Sequence, residues 1–131
     1  MTPSRTILVS IHSRLPAWNI PLAHVTALRE QFPQHSILHA RSNEETLLAI
    51  ETADIVFTAF LRRSLFEAAQ RLTWLHSPAA GLEGILSPEV IESPIVVTNS
   101  RGLSADTIAE HVLAVVLALF RKLPQTIEAQ R

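Results

Sequence analysis

The chain has 131 residues, 47% of them hydrophobic and 18% charged, with a formal net charge of −1. That balance excludes a disordered chain, which needs low hydrophobicity and high net charge, and it suits one globular domain with a proper core. A near-neutral chain has no global field to draw nucleic acid or anionic lipid, and the absence of cysteine excludes disulfides, thiolate catalysis and Cys-ligated zinc. The first residues run directly into Thr6–Ser10 without the long apolar stretch of a signal peptide, so a cytoplasmic protein is expected.

Thr6–Ser10 is apolar between its ends, as in a central strand covered on both faces. Pro21 opens a helix with Leu22, Val25, Leu28 and Phe32 on one side, and Pro33 closes it. Ser36–Ala40 reads as a second strand. Ser42-Asn43-Glu44-Glu45 is a capping box that opens a helix carrying Leu47, Leu48 and Ile50. Asp54–Thr58 is a third strand, and Ser64–Glu67 reads as another capping box, with Phe66, Ala69 and Leu72 inward. Trp74–His76 and Ile95–Thr98 are further strands, separated by a brief helix that Ser87-Pro88 starts. From Ser104 the chain reads as one long helix, apolar on every side between Val112 and Phe120. That stretch is short of the roughly 20 residues a membrane span needs. A soluble helix of this kind needs cover all round, so a second domain or subunit is expected to supply it.

Strand-length apolar runs alternating with helical patterns predict an α/β domain. The expected architecture is a flavodoxin-like doubly wound parallel sheet of five strands in order 2-1-3-4-5 over residues 1–103. Residues 104–131 lie outside that sheet as the long last helix, which a second domain or subunit is expected to cover. Ligands to such sheets bind at the carboxyl ends of the strands.

The chemistry-bearing residues exclude more than they assign. Three glycines, Gly81, Gly84 and Gly102, are wrongly spaced for a G-x-G-x-x-G or Walker loop. Of the six histidines, His35 and His39 are four apart but straddle a loop and a strand, so helical zinc geometry does not apply; no Ser-His-Asp arrangement is arguable from spacing, and no catalytic or metal-binding residue is assigned. Arg62 and Arg63 suit an acidic ligand as well as a solvated helix start, and Arg121, Lys122 and Arg131 suit the negative end of a helix dipole. Trp18 and Trp74 are not interleaved with basic residues, so no nucleic-acid partner is expected. A receiver domain would need acidic residues where Ser10-Ile11-His12 and Thr58-Ala59-Phe60 stand, and a flavin-phosphate loop would need a glycine that Ser10–Arg14 lacks.

The loop Ser77–Gly84 offers more. Small residues around Ala80 and Gly81 let backbone approach a ligand, and a turn there can aim consecutive N–H groups at an anion, although a plain turn would also account for them. Asn99 can tie two loops together through its amide, while Thr107 and Glu110 have capping-box spacing.

Taken together, Leu72–Glu83, Val96–Gly102 and Ile108–Ala114 resemble, in order and spacing, the D-isomer-specific 2-hydroxyacid dehydrogenases. The resemblance implies a protein of two Rossmann-like domains that transfers hydride between NAD(P)H and a 2-oxo acid. It implies that Ala80 and Gly81 hold the substrate carboxylate, that Phe60 and Leu61 line the substrate pocket, and that Asn99, Gly102 and Glu110 sit at the interdomain hinge. Glu83 stands where the family commonly has aspartate. The resemblance makes residues 104–131 the interdomain helix and the start of the absent NAD-binding domain, and the family's glycine-rich strand and its catalytic arginine, glutamate and histidine would lie beyond Arg131. The chain is therefore expected to be the substrate-binding part of an NAD- or NADP-dependent dehydrogenase, inactive alone and binding no cofactor itself. Its expected partners are a small 2-oxo or 2-hydroxy acid, the missing cofactor domain and a second copy engaged through the C-terminal helix, with no membrane partner. The alternative is a non-enzymatic flavodoxin-like module that binds carboxylates or assembles through the last helix.

Overall fold

The computed structural model describes residues 3–130, so Arg131 lies outside the described residues. The chain divides into two compact units, Met1–Ser100 and Arg101–Arg131. The first contains β1 (Thr6–Ser10), a 3-10 turn (Pro16–Trp18), α1 (Leu22–Gln31), β2 (Ser36–His39), α2 (Asn43–Ile50), β3 (Ile55–Thr58), α3 (Arg63–Ala68), β4 (Trp74–Ser77), α4 (Pro88–Glu92) and β5 (Val96–Asn99). All pairings are parallel and the strand order is β2-β1-β3-β4-β5, as the alternation of elements predicts.

Register explains the core. Leu38, Leu8, Val56, Leu75 and Val97 stand opposite one another across the five strands, forming one apolar row. Because side chains alternate across a pleated sheet, this row belongs to a single face. Ile50, Ala53, Leu61, Leu65, Leu72, Ile85 and Val90 pack with its buried members. The next row, led by Val9, faces the other way and packs with Val25 and Ile37. Each fully enclosed Leu or Val contributes about 1.5–3 kcal/mol, and Leu8, Val56 and Leu75 are all completely buried.

Several local expectations are corrected. Pro21 is the cap of α1 rather than its first residue, and only Val25 on that helix is buried; Leu22 and Phe32 are exposed. In α2 the inward residues are Thr46 and Ile50, four apart, which leaves Leu47 and Leu48 outward. Ser42 does cap α2, accepting from the Glu45 amide at 3.1 Å, but the Glu45 carboxylate reaches back to the Arg41 amide (2.7 Å) instead of that of Ser42. Ser64 caps nothing: α3 starts one residue before it, and Glu67 pairs with Arg63 at 2.8 Å across one helical turn. Ser87 caps α4 as expected.

The second unit holds α5 (Ala105–Phe120) and α6 (Leu123–Ala129) in place of one uninterrupted helix. Pro124 supplies the reason, since its ring clashes with the carbonyl four residues earlier, that of Phe120, where α5 stops. Lys122 takes up the break in a left-handed conformation (φ 52°). Thr107 and Glu110 lie within α5 and so form no capping box. No residue of α5 is buried, and among the described residues no helix is long and apolar enough to cross a membrane.

Candidate functional site

Three adjacent strands end in buried hydroxyls, Ser10, Thr58 and Ser77, and each turns the chain into its loop. Thr46 gives its proton to the Ser42 carbonyl (2.7 Å), so Ser10 donates to Thr46 Oγ1 at 2.7 Å and joins β1 to the start of α2. Thr58 Oγ1 donates to the Phe60 carbonyl at 3.0 Å, and Ser77 Oγ accepts the Ala79 amide at 3.2 Å. These residues were not singled out from sequence. Their signal is an apolar strand run ending on Ser or Thr, where a hydroxyl can replace the lost ladder partner.

The loops after β3, β4 and β5 are fastened to one another. The Leu61 amide donates to the Gly84 carbonyl at 2.8 Å, joining the β3 and β4 loops. Gly84 is required there by close approach, because a Cβ would strike the Ala59 carbonyl and the Phe60 ring. Asn99 Nδ2 donates to the Ala80 carbonyl at 2.7 Å, and the Ser100 amide donates to the Ser77 carbonyl at 3.1 Å, joining the β4 and β5 loops. Asn99 thus ties two loops, as its position suggests. Beneath them, His76 stacks on Phe57 (5.3 Å between ring centroids) and has Nδ1 2.8 Å from Thr98 Oγ1, which also accepts from Trp74 Nε1 at 2.8 Å.

With its carbonyl held by Asn99, the Ala80 turn leaves its donors free. Among the described residues, the amides of Ala80, Gly81, Leu82, Glu83 and Gly84 donate to no protein acceptor. Ala80 and Gly81 are exposed and open to a ligand. Phe60 is also exposed, at 68%, on the neighbouring loop. Leu61 corrects the sequence reading: its side chain is 5% exposed and belongs to the core, so it offers the site only its backbone.

The remaining candidates lie elsewhere. Arg62 stands at the N-cap position of α3 with no side-chain cap hydrogen bond, while Arg63 pairs with Glu67 and Glu89 and so is not a dedicated anion ligand. His39 is on the edge strand β2, where burial, then Arg41 and Arg29, hold its pKa below the ordinary histidine value. A shallow hollow beside β2, lined by Arg29, His39 and Glu45, is distant in the sheet order from the Ala80 turn, and Arg29 Nε is already spent on the Ile37 carbonyl (3.0 Å). In the second unit, Gly102 adopts φ 87° and Glu110 is an exposed residue of α5.

The residues present do not fit a dinucleotide. Gly81 and Gly84 each have a neighbour where a Cβ would stand, while Gly102 is a lone glycine with open space around it. A pyrophosphate cradle needs several glycines in one strand-to-helix turn.

No family model and no curated protein matches this chain. Solved structures do. A D-isomer specific 2-hydroxyacid dehydrogenase family protein from Aeromonas salmonicida superposes with a TM-score of 0.75 and 27% identity, over 96% of this chain and 39% of that one. The NAD+-bound 3-phosphoglycerate dehydrogenase of Entamoeba histolytica gives 0.70 and 21% identity, over 91% of this chain and 40% of its own. The PH0520 protein of Pyrococcus horikoshii gives 0.64 and 21% identity, over 95% and 36%. The two likenesses at 21% bear on the fold alone. This chain therefore spans about two-fifths of the length of the proteins it is similar to. Motif order and fold meet on one answer: the chain is similar in architecture to about two-fifths of a D-isomer specific 2-hydroxyacid dehydrogenase family protein, consistent with a fragment of that family.

Proposed function

We propose that this chain forms the substrate-binding part of an NAD(P)-dependent oxidoreductase acting on D-2-hydroxy acids and their 2-oxo counterparts. The observation that carries the reading is the run of unpaired amides from Ala80 to Gly84 at the carboxyl end of β4. A carboxylate seated there gains charge-assisted hydrogen bonds without a cationic side chain. Phe60 supplies apolar surface beside it, and Asn99 fixes the turn that presents the donors. On the same reading Asn99, Gly102 and Glu110 occupy hinge positions, hydride chemistry belongs to a cofactor domain outside these residues, and the protein works in the cytoplasm. Titration of the 131-residue chain with glyoxylate or pyruvate, followed by amide NMR, is expected to move the Ala80 and Gly81 resonances first. Silence at both, with the fold intact, overturns the proposal.

Assembly is proposed through α5. Within the second unit Val112, Leu113, Leu117, Leu119 and Phe120 are more than half exposed, and a soluble chain rarely leaves so large an apolar surface open. A second copy is the proposed cover. Sedimentation velocity is expected to show a dimer that Leu113→Glu together with Leu117→Glu reduces to monomer; a wild-type chain that stays monomeric at high concentration contradicts it.

A further inference from the structure

We infer that Glu83 is a specificity-determining residue that weakens the hold of the Ala80 turn on anions and turns it against doubly charged substrates. The inference rests on the carboxylate reading of that turn and concerns its selectivity. Glu83 folds back over its own loop: a Cβ built on Gly81 would fall on the Glu83 carboxylate, so the charged group stands directly against the turn. Among the described residues it has no hydrogen-bond partner and takes part in no ion pair; the ion pairs of this structure involve Asp54, Glu67 and Glu89. Its negative charge is therefore not neutralised by the protein. The unpaired amides beside it are the groups an incoming carboxylate needs.

Two effects act in the same direction. The Glu83 side chain occupies space over Gly81 and must swing away for a ligand, and its charge repels the ligand's own. Repulsion between like charges a few ångströms apart survives partial solvation, and it grows when the ligand carries a second negative group. The site should therefore favour a 2-oxo monocarboxylate with an uncharged tail over a dicarboxylate of similar shape.

The test compares the wild-type chain with Glu83→Gln and Glu83→Ala, titrated with glyoxylate as monoanion and 2-oxoglutarate as dianion at the Ala80 and Gly81 amides. Neutralising Glu83 is expected to tighten glyoxylate about threefold and 2-oxoglutarate about fivefold. Glu83 is exposed, so both variants should fold as the parent does. Wild-type binding that the variants leave unchanged or weaken overturns the inference while leaving the carboxylate reading intact. No shift at these amides with either acid, in any of the three proteins, overturns the carboxylate reading and this inference with it.

Discussion

Replacing Asp54 with alanine is expected to destabilise the chain by about 2–3 kcal/mol, a fall in melting temperature of roughly 7–11 °C for a domain of this size. The carboxyl group is almost fully buried at the amino-terminal edge of the sheet, between the starts of β1 and β3. It accepts from the Thr6 amide at 2.7 Å and from Arg71 at 3.0 Å, with Arg5 at 3.9 Å. Truncation leaves the Thr6 amide without its acceptor and two guanidinium groups without their counter-charge. Both arginines are largely exposed, which keeps the loss below that of a fully buried pair. The hydrogen bond from Thr6, then Arg71 and Arg5, hold the Asp54 pKa below the ordinary carboxylate value against the opposing effect of burial. A depressed folded-state pKa contributes stability that is fully present above the unfolded value and is lost as pH falls through the folded one. Wild-type protein should accordingly lose stability on acidification over that window, while Asp54→Asn should show a flatter acid limb from a lower plateau. Denaturant melts across the acid range check both, and an unchanged limb in Asp54→Asn refutes the assignment. Because Asp54 lies at the opposite end of the strands from Ala80, carboxylate binding by the folded fraction should be unaffected.

Asn99→Leu has the converse profile. Its amide holds the Ala80 carbonyl at 2.7 Å, and with the Ser100 amide on Ser77 it joins the β5 loop to the turn. Losing one partly exposed hydrogen bond should cost stability only about 0.5–1.5 kcal/mol. Binding should suffer more, because a turn free to reorient no longer presents its amides together; glyoxylate affinity is expected to fall about tenfold, the loss equivalent to one well-placed hydrogen bond. Asn99→Asp keeps the size but cannot donate and adds a negative charge beside the turn, so it should lose affinity at least as far. If Asn99→Asp binds as the parent does, the tether is not what organises the turn. Amide NMR titration and a thermal melt on the same samples separate the two effects.

Much of the fold was legible because it depends on local pattern. Continuous apolar runs such as Ile7-Leu8-Val9 can be satisfied only in a strand covered on both faces, and their alternation with helices admits few parallel topologies. The order β2-β1-β3-β4-β5 followed from that. The capping assignments fared unevenly. Ser42 and Ser87 stand immediately before their helices and cap them, whereas Ser64 has the same spacing to a glutamate but lies inside α3, where Arg63 takes Glu67. A spacing rule cannot see which of two competing partners reaches a side chain first.

The Ala80–Gly81 turn was visible as a stretch of small residues after a strand, and Asn99 as an amide near a loop. That these form one arrangement is a property of three chain segments brought together by β3, β4 and β5 lying side by side. Only the tertiary structure decides that Leu61 points into the core, that Gly84 must lack a side chain because Ala59 passes against it, and that the Glu83 carboxylate folds over Gly81. The sequence by itself determined which segments are strands and the order in which they could lie, since a continuous apolar run needs a strand covered on both faces and its alternation with helices admits few parallel topologies. Direction and proximity of side chains in loops were left to the tertiary structure, because loops have no repeating geometry and their contacts come from residues distant in the chain.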